Sequence, residues 1–213
     1  MAKVPGFAPV KSRLHPALTA ERATELYRCF LLDRLDALAT LPDTAPLVAF
    51  TPVDAADAIA AMVPRGVRCI PQRGRDLGER LATLLDTLIA EGHPGAIALD
   101  SDSPTLPTAY VLEAARTLAA EAADVVIGPC DDGGYYLIGL RAPEPRLFEE
   151  IPWSTASVLP LTLRRAQDLG LKTHVLPAWF DVDTEADLRR LHGEMRARGG
   201  PPRTLAFVRD LYG

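Results

Sequence analysis

Two carboxylates two residues apart, Asp100 and Asp102, stand where the apolar run Ala96 to Leu99 breaks off into Ser101-Asp102-Ser103-Pro104-Thr105-Leu106-Pro107. With a side-chain period of two, they point to one side for as long as extended geometry persists. Hard divalent cations such as Mg2+ take carboxylate oxygens, keep several waters and complete their shell with substrate phosphates. Asp102 and Asp100 are therefore candidate ligands for Mg2+ or Mn2+, and Asp102 is a candidate catalytic group. The competing reading has Asp102 or Ser103 shaping a turn before Pro104 or capping the helix that follows. A second acidic run, Phe180-Asp181-Val182-Asp183-Thr184-Glu185-Ala186-Asp187, also follows a strand-like segment. Asp181 and Asp183 are candidates to complete the cation's shell from the other side, whereas Thr184 and Asp187 have the spacing of a capping box.

Lys3, Lys11 and Arg13 place three cations in a loop containing Pro and Gly ahead of the first helix. Arg13 suits bidentate contact with phosphate and the lysines act as point charges; a flexible basic terminus is the alternative. After Val67 to Ile70 comes Pro71-Gln72-Arg73-Gly74-Arg75-Asp76-Leu77-Gly78-Glu79. The Gln72 amide can meet a nucleobase edge as donor and acceptor at once, and Gly78 permits close backbone approach. A surface loop with Asp76 capping a helix accounts for the same residues. Gly128-Pro-Cys-Asp131-Asp132-Gly133-Gly134-Tyr135-Tyr136 joins two strands, and its Asp-Gly step is hairpin chemistry. Asp131 and Asp132, with the tyrosines beside them, would also serve a hydroxyl-bearing acceptor, with either carboxylate as the base.

Other chemistries are disfavoured. His15, His93, His174 and His192 form no ligand-spaced pair, which argues against zinc. Neither GxxxxGK[ST] nor GxGxxG occurs, which argues against an ordinary kinase or an NAD enzyme. Cys29, Cys69 and Cys130 are widely spaced, odd in number and outside any CxxC pair, which fits a reducing cytoplasm. A formal charge of −5 supplies no positive field for nucleic acid. No apolar stretch reaches the roughly 18 residues of a membrane span.

The elements that must position these groups follow from composition and periodicity. At 213 residues, 48% hydrophobic and 24% charged, the chain predicts one soluble globular domain spanning 1–213. Strands are predicted at Leu47 to Phe50, Val67 to Ile70, Ala96 to Leu99, Asp124 to Ile127, Tyr136 to Leu140 and Thr173 to Leu176. Helices are predicted at Thr19 to Ala39, Asp54 to Met62, Leu77 to Ala90, Thr108 to Ala122, Thr155 to Leu169, Thr184 to Arg198 and Arg203 to Leu211. This alternation implies an α/β fold with a mostly parallel sheet covered on both faces. Ligands of such sheets bind beyond the carboxyl ends of the strands, where the candidate residues stand.

Taken in order, the blocks Ala-Lys-x-Pro-Gly with Lys-Ser-Arg-Leu, Gln-x-Gly-x-Asp-Leu-Gly-Glu-Arg, Ser-Asp-Ser-Pro-Thr-Leu-Pro, Asp-Gly-Gly-Tyr-Tyr-Leu-Ile-Gly, Trp-Ser-Thr and Asp-Val-Asp-Thr-Glu-Ala-Asp-Leu carry a family resemblance. From Lys3 to about Arg203 the chain resembles the small bacterial GT-A-type glycosyltransferases associated with radical-SAM and arsenosugar gene clusters. That group is itself similar to phospholactate guanylyltransferase and the molybdopterin nucleotidyltransferases. The resemblance implies a nucleotide-diphospho-sugar transferase-like three-layer α/β/α sandwich. By that likeness Lys3, Gly6, Lys11, Ser12 and Arg13 bind the nucleotide's phosphates, and Gln72 and Gly78 face its base. Asp102 binds the cation, Asp181 or Asp183 approaches it from the far side, and Asp131, Asp132, Gly133, Gly134, Tyr135 and Trp153 shape the acceptor pocket. Two departures stand out: only Met1 precedes Ala2, so the family's first strand is expected to be missing, and Asp100 stands where the family more often has Gly.

The resulting expectation is a cytoplasmic, Mg2+- or Mn2+-dependent enzyme that moves a sugar from a nucleotide diphosphate sugar to a small-molecule acceptor. A nucleotidyltransferase joining an NTP to a phosphorylated small molecule, with release of pyrophosphate, is the first alternative. A non-catalytic nucleotide-binding module is the second. No nucleic-acid partner is expected, and the oligomeric state stays open.

Overall fold

The computed structural model describes residues 1–213, which form two compact units, each assembled from separate stretches of chain. The first unit comprises Met1–Pro71, Ser101–Leu106 and Asp181–Gly213; the second comprises Gln72–Asp100 and Pro107–Phe180.

In the first unit β1 (Ala2–Lys3), β2 (Leu47–Thr51) and β3 (Arg68–Pro71) form a sheet in that order, parallel throughout. The first strand expected to be missing is therefore present as two residues. Ala2 and Lys3 pair with Phe50 and Thr51, and the Val4 amide extends the ladder to the Thr51 carbonyl at 2.8 Å. Val48, Ala49 and Phe50 are all buried, as a parallel strand covered on both faces requires. Helices α1 (Ala20–Leu38) and α2 (Ala56–Met62) cover the sheet, with Leu31, Leu35 and Ile59 joining Val4, Val48 and Phe50 in one core cluster. Ala23, Leu26, Tyr27, Phe30, Leu31 and Leu35 recur at helical spacing on the buried face of α1. Each buried Leu or Phe among them contributes about 1.5–3 kcal/mol through burial. Thr19 starts α1 by accepting the Arg22 amide. The unit closes with α6 (Glu185–Arg198) and α7 (Pro202–Tyr212), the latter lying against α1 with the Arg22 guanidinium 4.2 Å from the Phe207 ring centroid.

The second unit contains α3 (Leu77–Ala90), β4 (Ala96–Leu99), α4 (Thr108–Ala119), β5 (Val125–Pro129), β6 (Tyr135–Leu140), α5 (Val158–Asp168) and β7 (Thr173–Val175). Its sheet runs β4-β6-β5-β7, and only the β5/β7 pair is parallel. Strand β6 is antiparallel to both neighbours because a short turn joins it to β5, and a hairpin reverses the chain. Beyond the loss of single cap residues at helix ends, three of the predicted helices are shorter than expected. The stretch before α2 is a 3-10 turn at Val53–Ala55. Helix α5 begins at Val158, because Thr155 folds back to donate its hydroxyl to the Pro152 carbonyl. Helix α4 stops at Ala119, followed by Glu121 in the left-handed conformation that ends many helices. No helix is long and apolar enough to cross a membrane.

Candidate functional site

In the first unit the chain leaves β1, turns at Gly6, where φ is +86°, and reaches Lys11, itself left-handed at φ 50°. A non-glycine residue in that region is strained and persists only where its surroundings hold it. What holds Lys11 is its side chain, which is 2% exposed and passes 5.8 Å from the Phe30 ring centroid. Its ammonium group is shared by two carboxylates: it pairs with Asp102 Oδ1 and donates to Asp183 Oδ1 at 3.0 Å. Arg13, largely exposed, reaches the other oxygen of Asp183 at 3.3 Å. Burial alone would lower the Lys11 pKa, but the charges of Asp102 and Asp183 outweigh it and hold the amine above its ordinary value.

Four sets of contacts fix the two carboxylates. Arg34, buried on α1, donates to the carbonyls of Ser103 and Leu106 and so braces the Asp102 loop. The Tyr27 hydroxyl lies 2.7 Å from Ser101 Oγ and accepts the Lys3 amide at 3.1 Å, tying the same loop to β1. Burial, reinforced by the charge of Asp102, pushes this phenol up to about 12. The Val182 amide donates to the Asp102 carbonyl at 2.9 Å and so joins the loop to the second acidic run. There the expected capping box is formed: Thr184 accepts the Asp187 amide, while Asp187 Oδ2 accepts the amides of Thr184 and Asp183. Burial opposes ionisation of Asp187, yet these hydrogen bonds hold its pKa below the usual range. Asp187 thus orients the backbone that carries Asp183.

Asp102 and Asp183, far apart in sequence, therefore converge on one positive charge, although the cation between them is the lysine expected on phosphate. Asp181 is half-buried on the same loop. Asp100 belongs to the second unit, where its amide donates to the Tyr136 carbonyl and continues the β4/β6 pairing. Lys3 is exposed, with its amine 3.4 Å from the Pro9 carbonyl, and Gly6 and Ser12 are exposed on the same loop. Sequence reasoning missed Tyr27, Ser101 and Arg34. The one available signal was a polar Tyr and a charged Arg on the apolar face of α1.

In the second unit Gln72 is half-buried, immediately after β3. Asp76 caps α3 by accepting the Glu79 amide at 2.9 Å. Arg75 turns back to Glu79, and its side-chain hydrogen bonds hold that carboxyl down near about 2. The close approach that Gly78 permits is taken by the protein itself. A Cβ there would stand 2.8 Å from the Phe148 carbonyl oxygen and 2.9 Å from the Trp153 indole. Tyr135 meets the same indole edge-on at 6.4 Å, so Gly78, Tyr135 and Trp153 form one cluster. Burial pushes the Tyr135 phenol above its ordinary value. At the hairpin tip Asp132 accepts the Gly134 amide at 2.8 Å, an Asx turn, and Gly133 packs against the Ala156 backbone with φ +90°. Asp132 thus has a turn-forming role, while Asp131 is exposed with its amide donating to the Trp179 carbonyl.

Residues 34–155 match a family described as an uncharacterized protein conserved in bacteria (DUF2064). Among solved structures, the chain is similar to the crystal structure of a candidate nucleotide-diphospho-sugar transferase from Desulfovibrio desulfuricans G20. The two share 31% identity with a TM-score of 0.91, over 98% of this chain and 91% of that one. The chain also shares the fold of CMP:2-keto-3-deoxy-manno-octonic acid synthetase complexed with CTP, at 15% identity and a TM-score of 0.55, over 79% and 88% of the two chains. No curated protein matches. The fold is accordingly α/β and nucleotide-diphospho-sugar transferase-like, with mostly parallel strand pairing.

Proposed function

The chain belongs to the DUF2064 family, and from that premise we propose that it is a nucleotide-using transferase that moves a sugar from a nucleotide diphosphate sugar to a small acceptor. The observation that carries this reading is the convergence of Asp102 and Asp183 on a single positive charge, beside the basic loop that follows β1. The D. desulfuricans structure, similar over nearly the whole chain, supports the same class of chemistry.

The donors are carboxylate oxygens, the hard anionic ligands that Mg2+ and Mn2+ take, and those of Asp102 and Asp183 lie close enough to share one ammonium group. Asp102 and Asp183 would hold it, with Asp181 on the same loop as a further candidate. When bound, such an ion neutralises charge on the phosphate oxygens of the leaving group. Lys3, Arg13 and the amides of the Gly6 and Ser12 turns are the groups of this chain that would hold the diphosphate. Their work is electrostatic and largely preorganised. Gln72 is the candidate reader of the base edge, and Asp131 the candidate base that takes the proton from the acceptor hydroxyl. Asp132, Gly133 and Gly134 shape the turn that carries Asp131, while Tyr135 and Trp153 offer aromatic surface to the acceptor.

Nucleotidyl transfer is the second reading, favoured by the density of cations on the loop from Lys3 to Arg13, because a triphosphate carries more charge to neutralise than a sugar nucleotide. Incubation with Mg2+, a panel of sugar nucleotides and, separately, NTPs with phosphorylated acceptors separates the two. Release of a nucleoside diphosphate supports sugar transfer, and release of pyrophosphate supports nucleotidyl transfer. Turnover by neither route, with nucleotides still raising the melting temperature, leaves a binding module. In the active assay Asp102→Ala is expected to cut turnover by about 100-fold or more with an unchanged circular dichroism spectrum. Full activity in that variant would remove Asp102 from the site.

A further inference from the structure

The sequence assigned Lys11 to phosphate, and the structure seats it on carboxylates. Its side chain is 2% exposed, whereas those of Asp102 and Asp183 are 37% and 34% exposed. The ammonium group therefore approaches the acidic pair from the protein side, and the outer side of the pair stays open to water. Two carboxylates and one ammonium leave one negative charge, which only the exposed Arg13 meets in part. A divalent ion would balance the pair completely. It would also repel an ammonium group held at the same oxygens, because like charges at that separation cannot share a partly buried site without large cost.

We propose that Lys11 is the resident counterion of the Asp102–Asp183 pair and yields it to a divalent cation, so that cation entry releases the Lys11 amine for the nucleotide's phosphates. The inference rests on the reading of the acidic pair as a cation site. It accounts for the strained φ of 50° at Lys11, which the two ion pairs maintain and their exchange would relieve. It also reconciles the basic loop with its observed contacts: without a cation Lys11 neutralises the protein's own carboxylates, and with one it joins Lys3 and Arg13 as a third positive charge for a polyphosphate. Metal and nucleotide binding are then coupled through one side chain, and each strengthens the other.

Two measurements test this on the intact chain. In the first, amines are acylated with a water-soluble active ester, with and without saturating Mn2+, and mapped by mass spectrometry, with the exposed Lys3 and Lys172 as references. Lys11 is expected to be protected without Mn2+ and labelled with it. In the second, Mn2+ affinity is measured by electron paramagnetic resonance for the wild type, Lys11→Met and Lys11→Met/Asp102→Asn. Lys11→Met is expected to bind at least tenfold more tightly than wild type, and the double variant to lose the gain. Mn2+ binding to wild type with Lys11 still protected, or equal affinities for wild type and Lys11→Met, would overturn the exchange and leave the cation site standing. Absence of Mn2+ binding in every form would overturn both. The acylation measurement needs no variant, so a misfolded Lys11→Met does not shelter the proposal.

Discussion

Tyr27 shows how one hydroxyl serves a site it does not enter. It accepts the Lys3 amide and meets Ser101 Oγ, so the strand that launches the basic loop and the loop that carries Asp102 share a buried oxygen. Tyr27→Phe leaves both partners unsatisfied and is expected to cost about 1–2 kcal/mol in urea denaturation. The phenol also predicts an alkaline signature. Its folded pKa of about 12 lies above the unfolded value of about 10. The neutral form is thus favoured by folding: the stabilisation is complete below pH 10 and is lost as pH rises from about 10 towards 12. Stability of wild type should fall more steeply across that window than stability of Tyr27→Phe. Parallel curves would show that Tyr27 is not held neutral by the fold.

Among the elements, α7 depends on α1 for its start. It opens with Pro201 and Pro202 and has no side-chain cap of its own. Asp33, buried on α1, accepts the amides of Arg203 at 3.2 Å and Thr204 at 2.8 Å, as well as the Thr204 hydroxyl and the Arg203 guanidinium. A carboxylate at a helix N-terminus satisfies free amides and meets the positive end of the helix dipole. Asp33→Ala is expected to cost about 3 kcal/mol in chemical denaturation and to raise amide exchange in the first turn of α7. Asp33→Asn, which keeps one acceptor, should lose less. A change within error for Asp33→Ala would mean that α7 docks through apolar contacts such as Phe207 and Val208 alone.

For the whole molecule, the consequential fact is that the first unit is built from the two ends of the chain plus the short segment Ser101–Leu106. Removal of residues after Phe180 deletes Asp183, the Val182 bond to Asp102, and both α6 and α7. The truncated chain is expected to lose amide protection in α1 and Ser101–Leu106, while the β5–β6 hairpin stays protected because its ladder lies within the second unit. Hydrogen exchange with mass spectrometry distinguishes this from uniform loosening. Unchanged protection of α1 would show that the first unit does not need its C-terminal segment.

Local pattern was enough to place most elements. Strand β4 and helix α3 have their predicted bounds, and the caps at Thr19, Asp76 and Thr184 are where their spacing put them, since each depends on residues within one turn. The turn chemistry at Asp132-Gly133 likewise announced a hairpin before any partner strand was known. Contacts between distant segments were not legible in the same way. That Lys11 would sit on Asp102 and Asp183, that Trp153 would claim the space at Gly78, and that Arg34 would turn inward to loop carbonyls are matters of packing between segments tens of residues apart. Periodicity reports which face of an element is buried, but not which charge will meet it there. A buried ammonium group needs anions at hydrogen-bond distance, and only the folded backbone decides which carboxylates are near enough to supply them.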